Sequence, residues 1–533
     1  MGDTPMFWAL RTRTVRSTGI RRHALGGILM AELATRSAEA VGQKVANSEP
    51  RVAPPTPQVS VRNWGALAIL CLGAFVVVLD TTIVNIAIPS IITGLRSSLD
   101  QVLWVLNAYT LVYAALLITG GRLGDLYGPR RLLVLGIVVF GVASVACALA
   151  PSTEVLIGAR VLQGVGGALL TPQTLAMIPV IMPANLRGPA IGLWSGSAGL
   201  AAAVGPSLGG VLVTTAGWRW VFLVNLPLGI VAIAGAYLLL PSVVPHRRHR
   251  LDIGGIVLAS LGLLAIVFGL VEGQRFGWGT ITGPITIPAV MAAGVALVAA
   301  FVVWERRQLE PLMPPALFAA RSFAVSAWVI FVVQTVMVAF IVVAGLFFQS
   351  ALRMTALEAG LALAPMPLAL MLVGPLAGRL ADRVDTKFVL MGAMLIAAAG
   401  VGWLIASAST TASSATFILP LVVTGLGLGC GFAVVMTVGM RGIAPQLAGA
   451  ASGVLNTFRQ VGGAMGGAIA VALLQSRLSL VGPAQVAAHS LDYVNSFVGA
   501  FRATLVVPVL FLMLAALSCL LLRAQTAPIP RSS

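Results

Sequence analysis

Charge is scarce in this sequence. Only 9% of its 533 residues are Asp, Glu, Lys or Arg, against 58% hydrophobic residues and a mean hydropathy of +0.99, a balance that excludes a soluble globular chain. Lysine is nearly missing: Lys44 and Lys387 stand alone beside many Arg, Ala, Gly and Val residues, which points to GC-rich coding and a bacterial plasma membrane. Histidine is limited to His23, His246, His249 and His489, all in tails or loops and without metal-ligand spacing, so neither a reactive cluster nor a metal site is expected. Cys71, Cys147, Cys430 and Cys519 each fall inside an apolar run and read as small core residues, not as disulfides or ligands. No Gly-rich loop ending in Lys-Ser/Thr is present for ATP. These absences argue against an enzyme and against any cofactor.

Long apolar runs are abundant. A span needs roughly 20 apolar residues, and about fourteen such runs are legible, at approximately 65–90, 102–121, 132–150, 155–178, 189–213, 219–240, 253–271, 284–303, 323–348, 357–378, 388–408, 415–439, 449–474 and 499–522. The fold class is therefore an all-α membrane protein with a lipid bilayer as its solvent. Glycine, at 58 residues, recurs at small-xxx-small spacing, as in Gly205 to Gly209 and Gly462 to Gly466, which lets helix backbones approach closely.

The formal charge of +17 would suggest nucleic acid in a soluble chain, so the placement of the cations decides its meaning. They concentrate in alternate loops. One side holds Arg122, Arg130, Arg131, Arg187, Arg247, Arg248, Arg250, Arg306, Arg307, Arg321, Arg379, Arg383, Lys387, Arg441, Arg523 and Arg531, and the other only Arg96, Arg219, Arg275, Arg353, Arg477 and Arg502. The basic balance records topology, with both termini cytoplasmic, and no basic, aromatic-interleaved soluble domain speaks for nucleic acid. Residues 1–62, with their arginines and prolines and no hydrophobic periodicity, read as a disordered cytoplasmic tail in which Met30 is a plausible translation start.

A charged phrase occurs twice between apolar runs: Gly121-Arg-Leu-Gly-Asp-Leu-Tyr-Gly-Pro-Arg-Arg131 and Gly378-Arg-Leu-Ala-Asp-Arg-Val-Asp-Thr-Lys387. A second correspondence aligns Gly188, Gly192 and Gly205 with Gly449, Gly453 and Gly466 at nearly the same offset. Two matches in the same order mark an internal repeat and divide the chain into a tail (1–62), a six-helix half (63–240), a linker with two extra helices (241–322), a second six-helix half (323–524) and a short tail (525–533). A duplicated helical bundle in a membrane is the commonest architecture of a secondary transporter.

Four segments carry a family resemblance. Leu79-Asp-Thr-Thr-Ile-Val-Asn-Ile-Ala-Ile-Pro89, the loop phrase at 121–131, Arg160-Val-Leu-Gln-Gly164 and Gly205-Pro-Ser-Leu-Gly-Gly210, with Trp218-Arg-Trp-Val-Phe-Leu-Val-Asn-Leu-Pro227 beside them, resemble the major facilitator superfamily and within it the fourteen-span drug:proton antiporters, over about 64–522. The resemblance implies proton-coupled export of small amphipathic molecules, a coupling role for Arg160, a cytoplasmic latch in the Gly121–Arg131 loop and an antiporter motif in Gly205, Pro206, Gly209 and Gly210. Ala201 stands where that motif usually begins with glycine, Leu126 replaces a cation, and Asp385 replaces the second loop's glycine.

Read from the residues themselves, Asp80 is the one carboxylate well inside an apolar span. About ten residues from the external end of its helix, it lies roughly 15 Å deep, where a charged carboxylate costs at least about 2.5 kcal/mol and readily takes a proton. A fixed structural carboxylate is the alternative. Arg160, about six residues into the fourth span, is placed to meet it, as a proton-sensitive or a permanent partner. Asp125 is placed to cap the helix starting near Leu132 or to face another helix N-terminus, and Arg122, Arg130 and Arg131 can pair with it in one conformation and release it in another; Gly128 and, in the second loop, Asp382 belong to the gating loops that the resemblance implies. Asn456, Arg459 and Gln460 share one helical face and, with Asn85, Asn107, Tyr109 and Gln163 opposite, form the expected substrate cavity, unless these residues only bond between helices. A monomer exporting neutral or singly charged amphiphiles is expected. An exporter of an endogenous lipid, metabolite or self-made antibiotic, or a membrane sensor without transport, are the alternatives.

Overall fold

The computed structural model describes residues 60–522, apart from 184–185, 243–251, 309–310, 312, 314–315, 355, 410–411 and 479–490. The reading of residues 1–62 as a disordered tail lies outside the described residues up to position 59, while Val61 and Arg62 already form the first turn of a helix; the tail at 525–533 also lies outside them. Among those described, fourteen helices are long and apolar enough to cross a membrane.

The helices are α1 (Val61–Leu95), α2 (Leu99–Tyr127), α3 (Pro129–Ala148), α4 (Thr153–Ala176), α5 (Arg187–Thr215), α6 (Asn225–Leu239), α7 (Ile253–Glu272), α8 (Ile287–Glu305), α9 (Arg321–Ser350), α10 (Pro365–Arg383), α11 (Thr386–Ser407), α12 (Ser414–Met440), α13 (Ala448–Leu478) and α14 (Leu491–Ser518). Between α7 and α8 a two-stranded antiparallel ribbon pairs β1 (Thr280–Thr282) with β2 (Ile285–Thr286). Helix starts follow local chemistry: Ser98 accepts from the Gln101 amide while the Gln101 side chain returns to the Ser98 amide, and Asp252 and Thr286 accept from Gly255 and Ala289 at the heads of α7 and α8.

The packing pattern of α1–α6 recurs in α9–α14. Helix α1 packs on α5, and α2 and α3 on α4; correspondingly α9 packs on α13, and α10 and α11 on α12. The two sets meet through crossed pairs, α2 with α13 and α5 with α10. Both contacts are backbone-close because glycine faces glycine. A Cβ on Gly121 would strike the Gly449 carbonyl and one on Gly378 the Gly188 carbonyl, and Gly192 and Gly374 meet in the same way. The glycines that the repeat pairs by sequence, 121 with 378 and 188 with 449, are thus exchanged in space, each touching the other's partner.

The first span is longer than the hydropathy suggested, because α1 continues past Pro89 to Leu95. Proline at that point leaves the Asn85 carbonyl without its backbone donor but does not end the helix. Asp80 therefore lies near the middle of α1, fifteen residues from its end, or about 22 Å at 1.5 Å per residue, instead of 15 Å. The two loop phrases also turn differently. Gly128 takes φ 96°, open to glycine, before Pro129 starts α3; Asp385 has φ −55° and caps α11 by accepting from the Lys387 amide at 3.1 Å.

Candidate functional site

Asp80 is fully buried among the helices of the first set. Its Oδ2 accepts from Arg160 Nη1 at 2.5 Å, and its Oδ1 accepts from Gln163 Nε2 at 2.8 Å and Asn225 Nδ2 at 3.1 Å. The carboxylate of α1 is therefore held by donors from α4 and α6. Arg160, also buried, donates through Nε to the Val105 carbonyl of α2 at 3.0 Å and through Nη1 to Gln163 Oε1 at 2.7 Å, and lies 4.3 Å from the centre of the Tyr109 ring. Ser144 of α3 accepts from Gln163 at 2.9 Å and Asn225 at 3.3 Å and donates to the Phe140 carbonyl. Breaking one partner of such a pair leaves an uncompensated buried charge at roughly 3–5 kcal/mol. The arrangement is complete only while Asp80 is ionised, because every near neighbour offers it a hydrogen.

Gln163 thus belongs to the carboxylate cluster, and Tyr109 lies beneath Arg160, stacked on Tyr113, instead of on an open cavity wall. The cause is the guanidinium, which needs both the ring face and the Val105 carbonyl from α2. Asn225 and Ser144 were not singled out from sequence; the available signal was a polar residue in an otherwise apolar run. Asn107 is another correction. Its Nδ2 donates to Glu272 Oε1 at 2.6 Å, tying α2 to α7 through the between-helix bonding that was the alternative to a cavity role. Glu272 is buried at the end of α7, with Arg275 at 3.3 Å, and Glu305 is buried at the end of α8, accepting from the Met313 amide. Asp80 is therefore not the single buried carboxylate, although it is the one deepest within a helix. Asn85 is exposed, and its amide donates to the Thr81 carbonyl of its own helix.

The second cluster lies at the charged-loop end, where the two loop phrases sit. Asp125, in the last turn of α2, accepts from the backbone amides of Gly449 and Ala450 in the first turn of α13, both at 2.8 Å. It caps the other set's helix, not α3. Arg122 is buried nearby and acts on the carboxylate by charge alone. Arg130 turns away, donating to the Tyr237 carbonyl at 2.9 Å and covering the Tyr237 ring, and Arg131 is exposed. The Asp382 side chain lies outside the described residues. In the Gly205–Gly210 segment Gly205 fits against the Thr82 side chain and Gly209 against Ile83, so α5 seats on α1 close to Asp80, while Pro206 is exposed and no described atom approaches Gly210.

On α13, Asn456 is buried with Oδ1 unpartnered, and Arg459 and Gln460 are half-buried. Arg459 Nη2 reaches Tyr113 Oη at 3.4 Å, across the α2–α13 seam. On the other seam a mostly apolar cleft of about 390 Å³ is lined by Trp64, Leu67, Cys71, Leu200, Met371 and Pro375. Among the described residues no group of His, Cys, Asp and Glu is placed to hold a metal.

A bundle that repeats its packing, closes at one end through glycine contacts and buries an ion pair in its interior defines a multi-pass membrane protein of the transporter class. The chain belongs to the Major Facilitator Superfamily, whose family model matches residues 70–467. It is 35% identical over 458 residues to the tetracenomycin C resistance and export protein of Streptomyces glaucescens, covering 84% of this chain and 83% of the relative. It is 36% identical over 412 residues to a puromycin resistance protein of Streptomyces alboniger, covering 76% and 81%. The fold is similar to the crystal structure of a human organic anion transporter, with a TM-score of 0.55 at 13% identity over 86% of this chain and 100% of that one.

Proposed function

We propose that the chain exports amphipathic small molecules from a bacterial cell in exchange for protons, by alternating access, with Asp80 as the proton-binding group. The observation carrying this reading is the buried Asp80 cluster: a carboxylate whose ionised form is held by Arg160, Gln163 and Asn225. A proton that cancels its charge acts differently on two arrangements of the helices, which is the requirement for coupling. Relatives named for antibiotic resistance and export support an exporter.

In this reading the charged-loop end is cytoplasmic, as are both termini, and the halves are α1–α6 and α9–α14 with α7 and α8 inserted, as in a fourteen-span antiporter. The contacts of Gly121 with Gly449 and of Asp125 with α13 hold the cytoplasmic end closed. Asp80 takes up a proton from outside as substrate leaves; the halves then rock, the Asp125 latch opens, and the proton is released inward as substrate binds. The protein acts as a monomer and needs no cofactor beyond the gradient. The apolar cleft beside Trp64 and Met371 gives lipophilic compounds a surface on the seam between halves.

The test is proton release from acidified inverted vesicles on addition of a panel of lipophilic compounds. Compound-dependent release with wild type and none with Asp80→Asn is expected. An equal response from both proteins would place the coupling group elsewhere.

A further inference from the structure

The contacts joining α2 to α13 run from Asp125 and Gly121, at the charged-loop end, through Leu117 against Gly453, to Tyr113 and Arg459. Further along α13, the glycines Gly462 and Gly466 turn to Phe331 and Thr335 of α9. Arg459 thus stands on the seam between the two helix sets, one turn before the α13 glycines turn to α9. Helix α7 flanks this level, with Val267 packed among Leu111 and Ala114 of α2 and Val461 and Ala464 of α13, so this side of the seam is covered by protein.

The guanidinium is poorly matched to what surrounds it. Among the described residues its side chain bonds a neutral phenol at 3.4 Å, and its Nε has no acceptor. Asp80 is committed to Arg160, and Glu272 to Arg275. Close by, Tyr109 Oη and Asn456 Oδ1 are also buried without partners. A cation in a membrane-spanning helix costs at least about 2.5 kcal/mol and is normally paired. Asp80, Arg160 and Arg459 together leave one positive charge in excess at the centre of the bundle.

We infer that Arg459 receives an acidic group of the substrate, so that the transported amphiphiles carry a carboxylate or a comparably acidic phenol or enol. This rests on the export reading and names its substrate class. The guanidinium donates to the anion through its Nη groups, and the unpartnered Tyr109 Oη and Asn456 Oδ1 lie buried behind it. Exchange of such an anion outward for protons inward moves charge in the same sense on both legs, so an inside-negative potential drives the cycle.

The test is binding of pyrenebutyrate, its methyl ester and pyrenebutylamine to the full chain in nanodiscs, with empty discs subtracted, for wild type, Arg459→Lys and Arg459→Gln. Wild type is expected to bind the acid about tenfold or more tightly than the ester, the equivalent of one charge-assisted hydrogen bond. Arg459→Gln removes that preference and leaves ester binding within about twofold, and Arg459→Lys retains part of it because lysine keeps the charge but not the fork. A wild-type preference for ester or amine overturns the inference without needing any variant, as does a loss of acid and ester binding together in Arg459→Gln. If wild type exchanges the amine or ester for protons in vesicles but not the acid, export stands and the acidic substrate class falls. If none of the three is bound or exchanged, both fall.

Discussion

Removing the Asp125 carboxylate should unlatch the charged-loop end. In Asp125→Ala the amides of Gly449 and Ala450 lose both acceptors, each at 2.8 Å, and the first turn of α13 loses the negative charge facing it. Hydrogen bonds to a charged group contribute about 1.5–3 kcal/mol each, and the charge–dipole term adds about 0.3–1 kcal/mol. Water satisfies the same amides once the seam opens, so roughly 2–4 kcal/mol is a reasonable net bias, or about 30- to 700-fold in the closed-to-open ratio. Spin labels at Tyr127 and Gln446, both exposed beside the latch, would report it in a variant with its four cysteines replaced. A short distance is expected to dominate with Asp125 and a longer one to appear in Asp125→Ala, with Asp125→Asn between them because its carbonyl still accepts a bond. An unchanged distance distribution with unchanged transport would refute the latch.

Other perturbations probe separate parts of the account. Gly121→Val places a side chain against the Gly449 carbonyl; it should shift the same spin-label distance outward and abolish exchange, while Gly141→Ala, where nothing approaches, should do neither. Gln163→Leu strips a donor from Asp80 and orphans Ser144 and Arg160 contacts, and should lower thermal stability by about 1–3 kcal/mol as well as proton coupling. Glu272→Ala frees Asn107 and is expected to destabilise the docking of α7 on α2 by a similar amount, read as faster proteolysis in the α7–α8 ribbon; Glu272→Gln should retain much of the bond.

Most of the architecture was legible because a bilayer imposes a length on every span and glycine spacing marks close packing. The repeat of Gly121 with Gly378 and Gly188 with Gly449 foretold which backbones matter, though not that the pairs would be exchanged between the sets. The meeting of Asp80 and Arg160 was expected from their similar depths, although Asp80 lies about 22 Å and not 15 Å from the end of α1. What spacing could not give was the third dimension of each polar residue. Asn107 and Tyr109 are two residues apart on α2 and point to different neighbours, one to Glu272 and one beneath Arg160. Asn225 gave no sign of joining Asp80, 145 positions away. Boundaries slipped where proline is tolerated inside a helix, as at Pro89, since hydropathy does not reveal which carbonyls find another donor.

The central claim is that Asp80 couples protons to substrate movement, and proteoliposomes bearing wild type or Asp80→Asn test it most directly by comparing two modes of transport of one substrate. Substrate accumulation driven by an imposed pH gradient should be present in wild type and lost in Asp80→Asn, while downhill exchange of labelled for unlabelled substrate, which needs no proton, persists in both. Uphill accumulation that survives in Asp80→Asn, or loss of both modes together, would contradict the assignment and leave Asp80 a structural carboxylate.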